Sequence, residues 1–565
     1  MHLNFKHSAI TKETSKKEVG GKWDAVRVFE IGVMVVFVSA AVIWAMFSAV
    51  SLPVAQPSAQ ANIQAYAYAL PQEGWAPLTV YFSTFGTQDP NSQIVRYEWD
   101  LDGNGTFETD ATNAGGYASY VYTKSRTYTI SLRVTNAVGG TAIAQTQVHV
   151  KHPASSSVDY WSVFDDSRVR KITVRIKGSD WDRMIAAVDQ KLIVPADAII
   201  FGEQVDEIGI SPKGNSTLWF PGDKKPFKLD MNAYLPEQEY QNLKMLLLHN
   251  NFGDPSMLRE KMAYDMMRFA GVPAGHTAYV TLSVDIVDDD QPADFLGVYT
   301  MVERPDTKFL ANRFGRENDR GNLYKADAWF EEGAADLAYY GENIENYPKP
   351  RGELAYALMY KDSVEHSYED IIRLCYVIDG VDYESPEDFA DALEQVFDVD
   401  VYLRYLAVIF LSLNFDQYPD TGNNYYLYHN PGNDKFEWIA WDMGNSWGLF
   451  GGDATYPIFG TEQSIGPLQY RPLFTKVFQV ESYRQTYQAY LDLLIRHWFN
   501  EEMMSERAQG WHDLIRPYLS EGNGDKMYFG ESAQYTLEEF DLSWQEIVDL
   551  TQRRAEYVKG VLQSK

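Results

Sequence analysis

Hydrophobic and polar positions change rhythm along the chain, and each rhythm predicts a different kind of element. Residues 31–50, IGVMVVFVSAAVIWAMFSAV, carry no charge, and about 20 such residues at ~1.5 Å rise are enough to cross ~30 Å of hydrocarbon as a helix. From 62 to 151 the period is two. Leu78, Val80 and Phe82 alternate with Thr79 and Tyr81, and Tyr128, Ile130, Leu132 and Val134 alternate with Thr129, Ser131 and Arg133. Half-buried strands read this way, and about 90 residues of them suit a β-sandwich. From 158 onward apolar runs predict strands at 172–176, 205–210, 227–231, 279–284 and 296–302. Leu258, Met262, Met266 and Phe269 share one face of a helix that ends before Gly271, and further helices are expected over 368–377, 386–397, 401–413 and 537–562. The fold class is α+β, and roughly 400 residues exceed one average domain, so two lobes are expected.

The organisation that follows is a basic arm over 1–30, a transmembrane helix over 31–51, a linker over 52–61, the sandwich over 62–151, a linker over 152–157 and the α+β region over 158–565. In the arm, Lys6, Lys12, Lys16, Lys17, Lys22 and Arg27 outnumber Glu13, Glu18, Asp24 and Glu30. The positive-inside rule then predicts a single-pass protein of the cell membrane, its N-terminus cytoplasmic and its large acidic part outside. The alternative is a cleaved signal peptide and secretion, with Ala55, Ala59 and Ala61 offering small-residue sites. Charge narrows the partners. With 79 acidic against 49 basic residues and a net charge of −30, broad contact with a nucleic-acid backbone is excluded. The single cysteine, Cys375, excludes internal disulfides and cysteine-rich zinc sites and reads as inert core.

No G-x-x-x-x-G-K-S/T, G-x-S-x-G, H-E-x-x-H or G-x-G-x-x-G occurs, so the common nucleotide, hydrolase and zincin signatures are missing. Four polar clusters remain: 213–217 with 224–230, 297–305, 414–416 with 423–428, and 438–444. On a strand, Lys228 and Asp230 face away from Phe227, Leu229 and Met231, so Lys228 projects from a rigid element toward an anion or simply into solvent. Glu303 ends an apolar strand and needs a partner, a cation by preference. The constellation suits phosphoryl transfer: Asp416 to orient or deprotonate a hydroxyl, Asn424 and Asp442 as hard oxygen ligands for Mg²⁺, and Lys228 to balance phosphate charge. The same residues also read as capped turns and surface acids. His276 and His429 stand alone and read as structural.

Two resemblances bear on these readings. Ala76-Pro77-Leu78-Thr79-Val80, Tyr97-Glu98-Trp99-Asp100 and 128–134 ending in Asn136-Ala137-Val138-Gly139 resemble the PKD domain family, which implies a non-catalytic spacer or adhesive module that contacts polysaccharide or protein. Its run from Trp99 to Gly105 also looks like the start of a calcium loop, although Ala111 stands where the bidentate acid belongs; a tight Asp/Gly turn is the other reading. The ordered set Lys213-Gly214-Asn215-Ser216, Lys224-Lys225-Pro226-Phe227-Lys228, Leu296-Gly297-Val298-Tyr299 with Val302-Glu303, 321–325, Asn414-Phe415-Asp416, 424–428 and Trp441-Asp442 is similar to the CotH family of spore-coat and secreted atypical kinases. That resemblance implies a two-lobed kinase-like fold, ATP with Mg²⁺ or Mn²⁺, and transfer to Ser/Thr of an envelope protein. It implies Asp416 and Lys228 as catalytic, Asn424 and Asp442 as metal ligands, and Lys213, Asn215, Ser216, Lys225 and Glu303 around the cofactor, with Lys225 the rival of Lys228. Glu260 is the guess for the helix glutamate that pairs with Lys228. The chain departs from the family in Lys213, where arginine is usual and the planar fork is lost, and after Asp442, where Met443 and Gly444 replace an aromatic and a second Asp. A non-enzymatic surface adhesion or matrix-assembly protein, or a carbohydrate-associated secreted protein, is the alternative.

Overall fold

The computed structural model describes residues 62–151, 159–219, 222–329, 332–359, 367–460, 471–519, 528–529 and 533–564. The apolar segment at 31–50 and the linker at 152–157 lie outside them. Among the described residues no helix is long and apolar enough to cross a membrane. The single-pass membrane placement expected from the sequence is therefore withdrawn. The longest helix, Leu537–Gln563, illustrates the reason, since its charged residues keep one face polar.

The period-two alternation forms a sandwich. Strands β1 (Tyr68–Leu70), β3 (Leu78–Ser83) and β6 (Ala118–Tyr122) make one sheet. The other contains β2 (Glu73–Trp75), β4 (Ile94–Asp100), β5 (Thr109–Asp110), β7 (Arg126–Asn136) and β8 (Thr141–Lys151). Val80, Phe82, Trp99, Ile130, Leu132 and Val134 fill the space between them. The Asp100 carboxylate accepts the backbone N–H groups of Gly103, Asn104 and Gly105, the bonding of a tight Asp/Gly turn.

Next comes a closed barrel in the order β10-β11-β12-β13-β15-β14-β9. Its strands are β9 (Arg170–Ile176), β10 (Val194–Ile200), β11 (Glu203–Pro212), β12 (Phe227–Asp230), β13 (Met245–His249), β14 (Thr277–Ile286) and β15 (Asp294–Val302), with α1 (Gly178–Ala186) between β9 and β10. Ile172, Val174, Ile208, Ile210, Phe227, Leu229, Leu246, Leu248, Val280 and Met301 fill its interior. The outward residues Leu247, Tyr279, Val298 and Val302 belong to a second core, with Met262 and Met266 of α2 (Arg259–Phe269). Strand β14 is thus covered on both faces and is buried at eight successive positions, 277–284, although Thr277, Thr281 and Ser283 among them are polar.

The second core is mostly helical. It contains α3 (Thr307–Phe314), α4 (Glu369–Cys375), α5 (Pro386–Leu393), α6 (Val399–Ser412), the short α7 (Tyr418–Thr421), α8 (Pro472–Val477), α9 (Glu481–His497), α10 (Glu501–Ile515) and α11 (Leu537–Gln563). A small sheet, β19-β16-β20-β21, crosses it, built from β16 (Leu323–Ala326), β19 (Tyr356–Leu358), β20 (Tyr425–Asn430) and β21 (Lys435–Ala440), while β17 (Ala328–Trp329) and β18 (Gly333–Ala334) pair separately. Helix α6 is buried on nearly every side, in keeping with its almost wholly apolar sequence. Cys375 is buried in this core, and burial pushes its thiol well above the usual range.

Candidate active site

Three elements converge where α6 ends. Leu413 takes the left-handed conformation (φ 53°, ψ 47°) that stops the helix and turns Asn414-Phe415-Asp416 away from the helix axis. After α7 and Gly422, the chain enters the β20–β21 hairpin, in which Tyr425 pairs with Ala440 and Leu427 with Trp438. That register brings the residue before β20, Asn424, and the residues after β21, Trp441 and Asp442, to the same open end. Eighteen positions of sequence separation are closed by six residue pairs.

Local hydrogen bonds fix the arrangement. Asn424 Nδ2 donates to the Asp416 carbonyl at 2.7 Å, and Asn445 Nδ2 donates to Asp416 Oδ2 at 2.7 Å. Gln417 Nε2 donates to the carbonyls of Trp441 (3.3 Å) and Asp442 (3.1 Å), while its Oε1 accepts from the Tyr405 hydroxyl at 3.0 Å. The Asp442 N–H donates to the Tyr264 hydroxyl at 3.0 Å. Asn424 and Asp442 both have positive φ, 60° and 54°, and the bonds just described hold them there. Burial, and then the charge of Asp442, push Asp416 up to about 7, against the stabilising bonds from Asn445, Asn424 and Thr421.

Lysines and a buried relay complete the site. Lys213 follows β11, and its N–H donates to the Pro226 carbonyl at 2.9 Å. Its Nζ lies 2.6 Å from His249 Nε2, and His249 Nδ1 lies 2.7 Å from Glu260 Oε1 in the first turn of α2. Burial pushes the Lys213 ammonium down to about 8, with Asp442 and Glu260 pulling the other way. Lys325 on β16 is also lowered by burial and is opposed by Asp327 and Asp442. Ligand atoms of His249, Glu260 and Asp442 all lie within 4.8 Å of one another.

The structure brings Asp416, Asn424 and Asp442 together, with Lys213 close enough to feel the Asp442 charge. Lys228 projects from the outer face of β12, opposite Ser211 and Leu247, and its Nζ is 3.6 Å from Asp230. Lys225 Nζ donates to the Leu218 carbonyl at 3.0 Å, and Asn215 Oδ1 accepts from Lys191 Nζ at 2.9 Å. Ser216 begins a 3₁₀ turn, Ser216–Trp219. Glu303 has the cationic partner its position demands: Arg313 Nη2 is 2.7 Å from Oε2, and the Tyr160 hydroxyl and the His276 N–H also donate to its carboxylate. Glu260 points to His249, so its link to a lysine runs through the imidazole to Lys213. His276 stacks edge-on against Trp161, and His429 lies between Asp370 and Asp434, 3.0 Å from each. Sequence reasoning missed His249, Lys325, Gln417 and Asn445. For His249 a signal existed, because MLLLH is an apolar strand ending in a polar residue, as in the run that ends at Glu303.

The residues present suit a hard divalent cation. The Asp442 carboxylate is exposed, no donor reaches it among the described residues, and Asn424 keeps its amide oxygen when its nitrogen bonds to Asp416. Carboxylate and amide oxygens are the donor set that Mg²⁺ and Mn²⁺ take.

Comparison with known proteins shows what the chain is similar to. The chain is 22% identical over 345 residues to the inner spore coat protein H of Bacillus subtilis, covering 60% of this chain and 84% of that one. It is 21% identical over 279 residues to invasin CotH3 of Rhizopus delemar, covering 47% of this chain and 42% of the invasin. A crystal structure of the Helicobacter pylori proinflammatory kinase CtkA aligns at 12% identity and a TM-score of 0.25, over 59% of this chain and 95% of the other. The PKD domain family matches residues 61–150. The CotH kinase protein family matches residues 210–558, a span that holds Lys213, His249, Glu260, Asp416, Asn424 and Asp442, and the chain belongs to that family.

Proposed function

We propose that this protein transfers the γ-phosphoryl group of ATP to serine or threonine hydroxyls of a surface or envelope protein. One observation carries the reading: Asp416 and Asp442 are close enough for one charge to raise the other's pKa, and Asn424 bonds the Asp416 backbone between them. Protein kinases divide the same labour among a base, an Asn and a metal-binding Asp in that chain order. Asp416, held partly protonatable near neutrality, takes the proton from the substrate hydroxyl as the hydroxyl oxygen attacks the γ-phosphorus. The bond from that phosphorus to the bridging oxygen breaks, and ADP leaves. Asp442 and Asn424 would hold Mg²⁺ or Mn²⁺, which would supply neutralisation of phosphate charge. Lys213 and Lys325 add fixed positive charge beside Asp442, a role first expected of Lys228.

Intact mass of the purified chain and a candidate substrate, after incubation with ATP and either metal, tests the proposal. Gains of about 80 Da per phosphoryl group, lost in Asp442→Ala, are expected. No gain, together with no metal-dependent ATP binding, would leave surface attachment without turnover, a reading favoured by the sandwich module and by the likeness to a fungal invasin.

A further inference from the structure

We infer that His249 is a positioning residue that holds Lys213 beside Asp442 by linking it to Glu260, in place of a direct lysine–carboxylate pair. The inference rests on the nucleotide reading above for its effect on ATP, but its geometry stands alone. An ammonium has only donors, so the 2.6 Å contact with Lys213 makes Nε2 of His249 the acceptor. The ring proton therefore sits on Nδ1 and points at Glu260 Oε1, 2.7 Å away. One tautomer satisfies both contacts, and the carboxylate's charge stabilises the polarised ring and, through it, the ammonium.

The relay is rigid. His249 and Glu260 are 7% and 5% exposed. Trp441 meets the imidazole edge-on, with centroids 5.8 Å apart at 86°. Glu260 lies in the first turn of α2, whose start is pinned by Asp254 accepting the N–H of Arg259 at 2.9 Å. Helix α2, strand β13 and the segment after β11 are thereby joined through one imidazole. Both ring nitrogens are engaged, so a metal ion at His249, Glu260 and Asp442 would have to displace Lys213.

The full chain, His249→Phe, His249→Gln, Lys213→Met and the double variant Lys213→Met/His249→Phe test the relay. Phenylalanine keeps the ring packing on Trp441 but removes both hydrogen bonds. Glutamine can accept from the lysine through its oxygen and donate to Glu260 through its nitrogen. The expected result is an ATP KM raised about tenfold or more in His249→Phe, largely restored in His249→Gln, with the double variant no worse than Lys213→Met alone, as coupled residues require. In parallel, peptide mapping after mild amine acylation reads Lys213 without nucleotide: labelling should rise several-fold in His249→Phe and return toward wild type in His249→Gln. If wild-type chain neither binds nor turns over ATP but this labelling pattern holds, the nucleotide reading falls and the relay stands. Unchanged labelling in His249→Phe, or equal impairment by Phe and Gln, would overturn the relay. Nucleotide-free Mn²⁺ binding that is lost in His249→Phe and kept in Lys213→Met would overturn it in favour of a metal at the same three residues.

Discussion

Asp416 and Asp442 differ in what surrounds them, and under the proposed function this gives them different roles. Asp416 is held by Asn445 and pushed up by burial, whereas the Asp442 carboxylate is open to solvent. Asp416→Asn is expected to lower phosphoryl transfer by about 10²- to 10⁴-fold, the usual contribution of a general base, while metal-dependent ATP binding persists; an equal loss of binding would assign Asp416 to the metal instead. A second residue sets a pH limit on stability. Burial, and then the charges of Arg268, Arg313 and Lys261, hold the His276 imidazole well below its ordinary value. The unfolded chain protonates this group near pH ~6.5, so its stabilising contribution is fully present above that pH and is lost as the pH falls, by at most about 1.4 kcal/mol per pH unit. In His276→Gln the fall of the urea midpoint on acidification should be shallower than in the wild type, and parallel curves would contradict the assignment. At this scale the sequence offered the acids readily, because Asn414-Phe415-Asp416 and Trp441-Asp442 stand out after apolar runs. It did not rank the lysines, because burial and pairing, not spacing, distinguish Lys213 from Lys228.

The element that positions the site is the passage from α6 through α7 into the β20–β21 hairpin. Gly422 closes α7 in the left-handed region at φ 67°, and a methyl group there would lie 2.7 Å from Arg471 Nη2 and 2.8 Å from the Ala334 Cβ. The Arg471 guanidinium is committed, since its Nε donates to the Tyr418 carbonyl at 2.9 Å. Gly422→Ala should therefore destabilise the fold by about 1–3 kcal/mol, from strain and crowding together, and reduce phosphoryl transfer by displacing Asn424; thermal unfolding and the mass assay check the two effects. Helix ends and strand ends were largely readable: 401–413 was expected where Val399–Ser412 is found, 537–562 where Leu537–Gln563 is found, and 296–302 where Asp294–Val302 is found. The helix expected at 386–397 ends at Leu393, and the one expected at 368–377 gives way after Cys375 to a wider turn, Tyr376–Gly380. Helices α1, α3, α7, α8, α9 and α10 were missed. Half of the buried positions of α9 are Tyr, Gln or Asp, which blur the apolar stripe, and α10 buries only Met504, Ala508 and Ile515.

On the scale of the molecule, the sandwich is packed against the kinase region. Tyr68 and Leu70 of β1 belong to the same core as α6 and α9. The Tyr117 hydroxyl donates to Asp492 at 2.8 Å under the Arg496 guanidinium, which lies 3.8 Å from the ring centroid, and Tyr81 stacks on His497 with centroids 4.0 Å apart. Gln72 Nε2 donates to the Tyr490 hydroxyl at 3.1 Å. Residues 60–565 thus form one unit. A chain beginning at residue 159 would expose Phe269, Tyr490 and His497 beside the lost strands, and it should unfold several degrees below a chain beginning at residue 62. Coincident melting curves would show that the module adds nothing to the stability of the kinase region.

The sequence by itself determined the sandwich, the α+β class of the larger region, the strands β9, β11, β12, β14 and β15, the helices α2, α4, α5, α6 and α11, and the polar runs that carry Asp416, Asn424 and Asp442. These follow from local periodicity and from short polar runs that end apolar elements, which any chain of this sequence carries before it folds. Tertiary structure alone decided that the strands close into a barrel, that β14 is covered on both faces, that Arg313 answers Glu303, and that a histidine stands between Lys213 and Glu260. Each of these depends on residues of different elements meeting where those elements pack, and sequence spacing carries no distance between them.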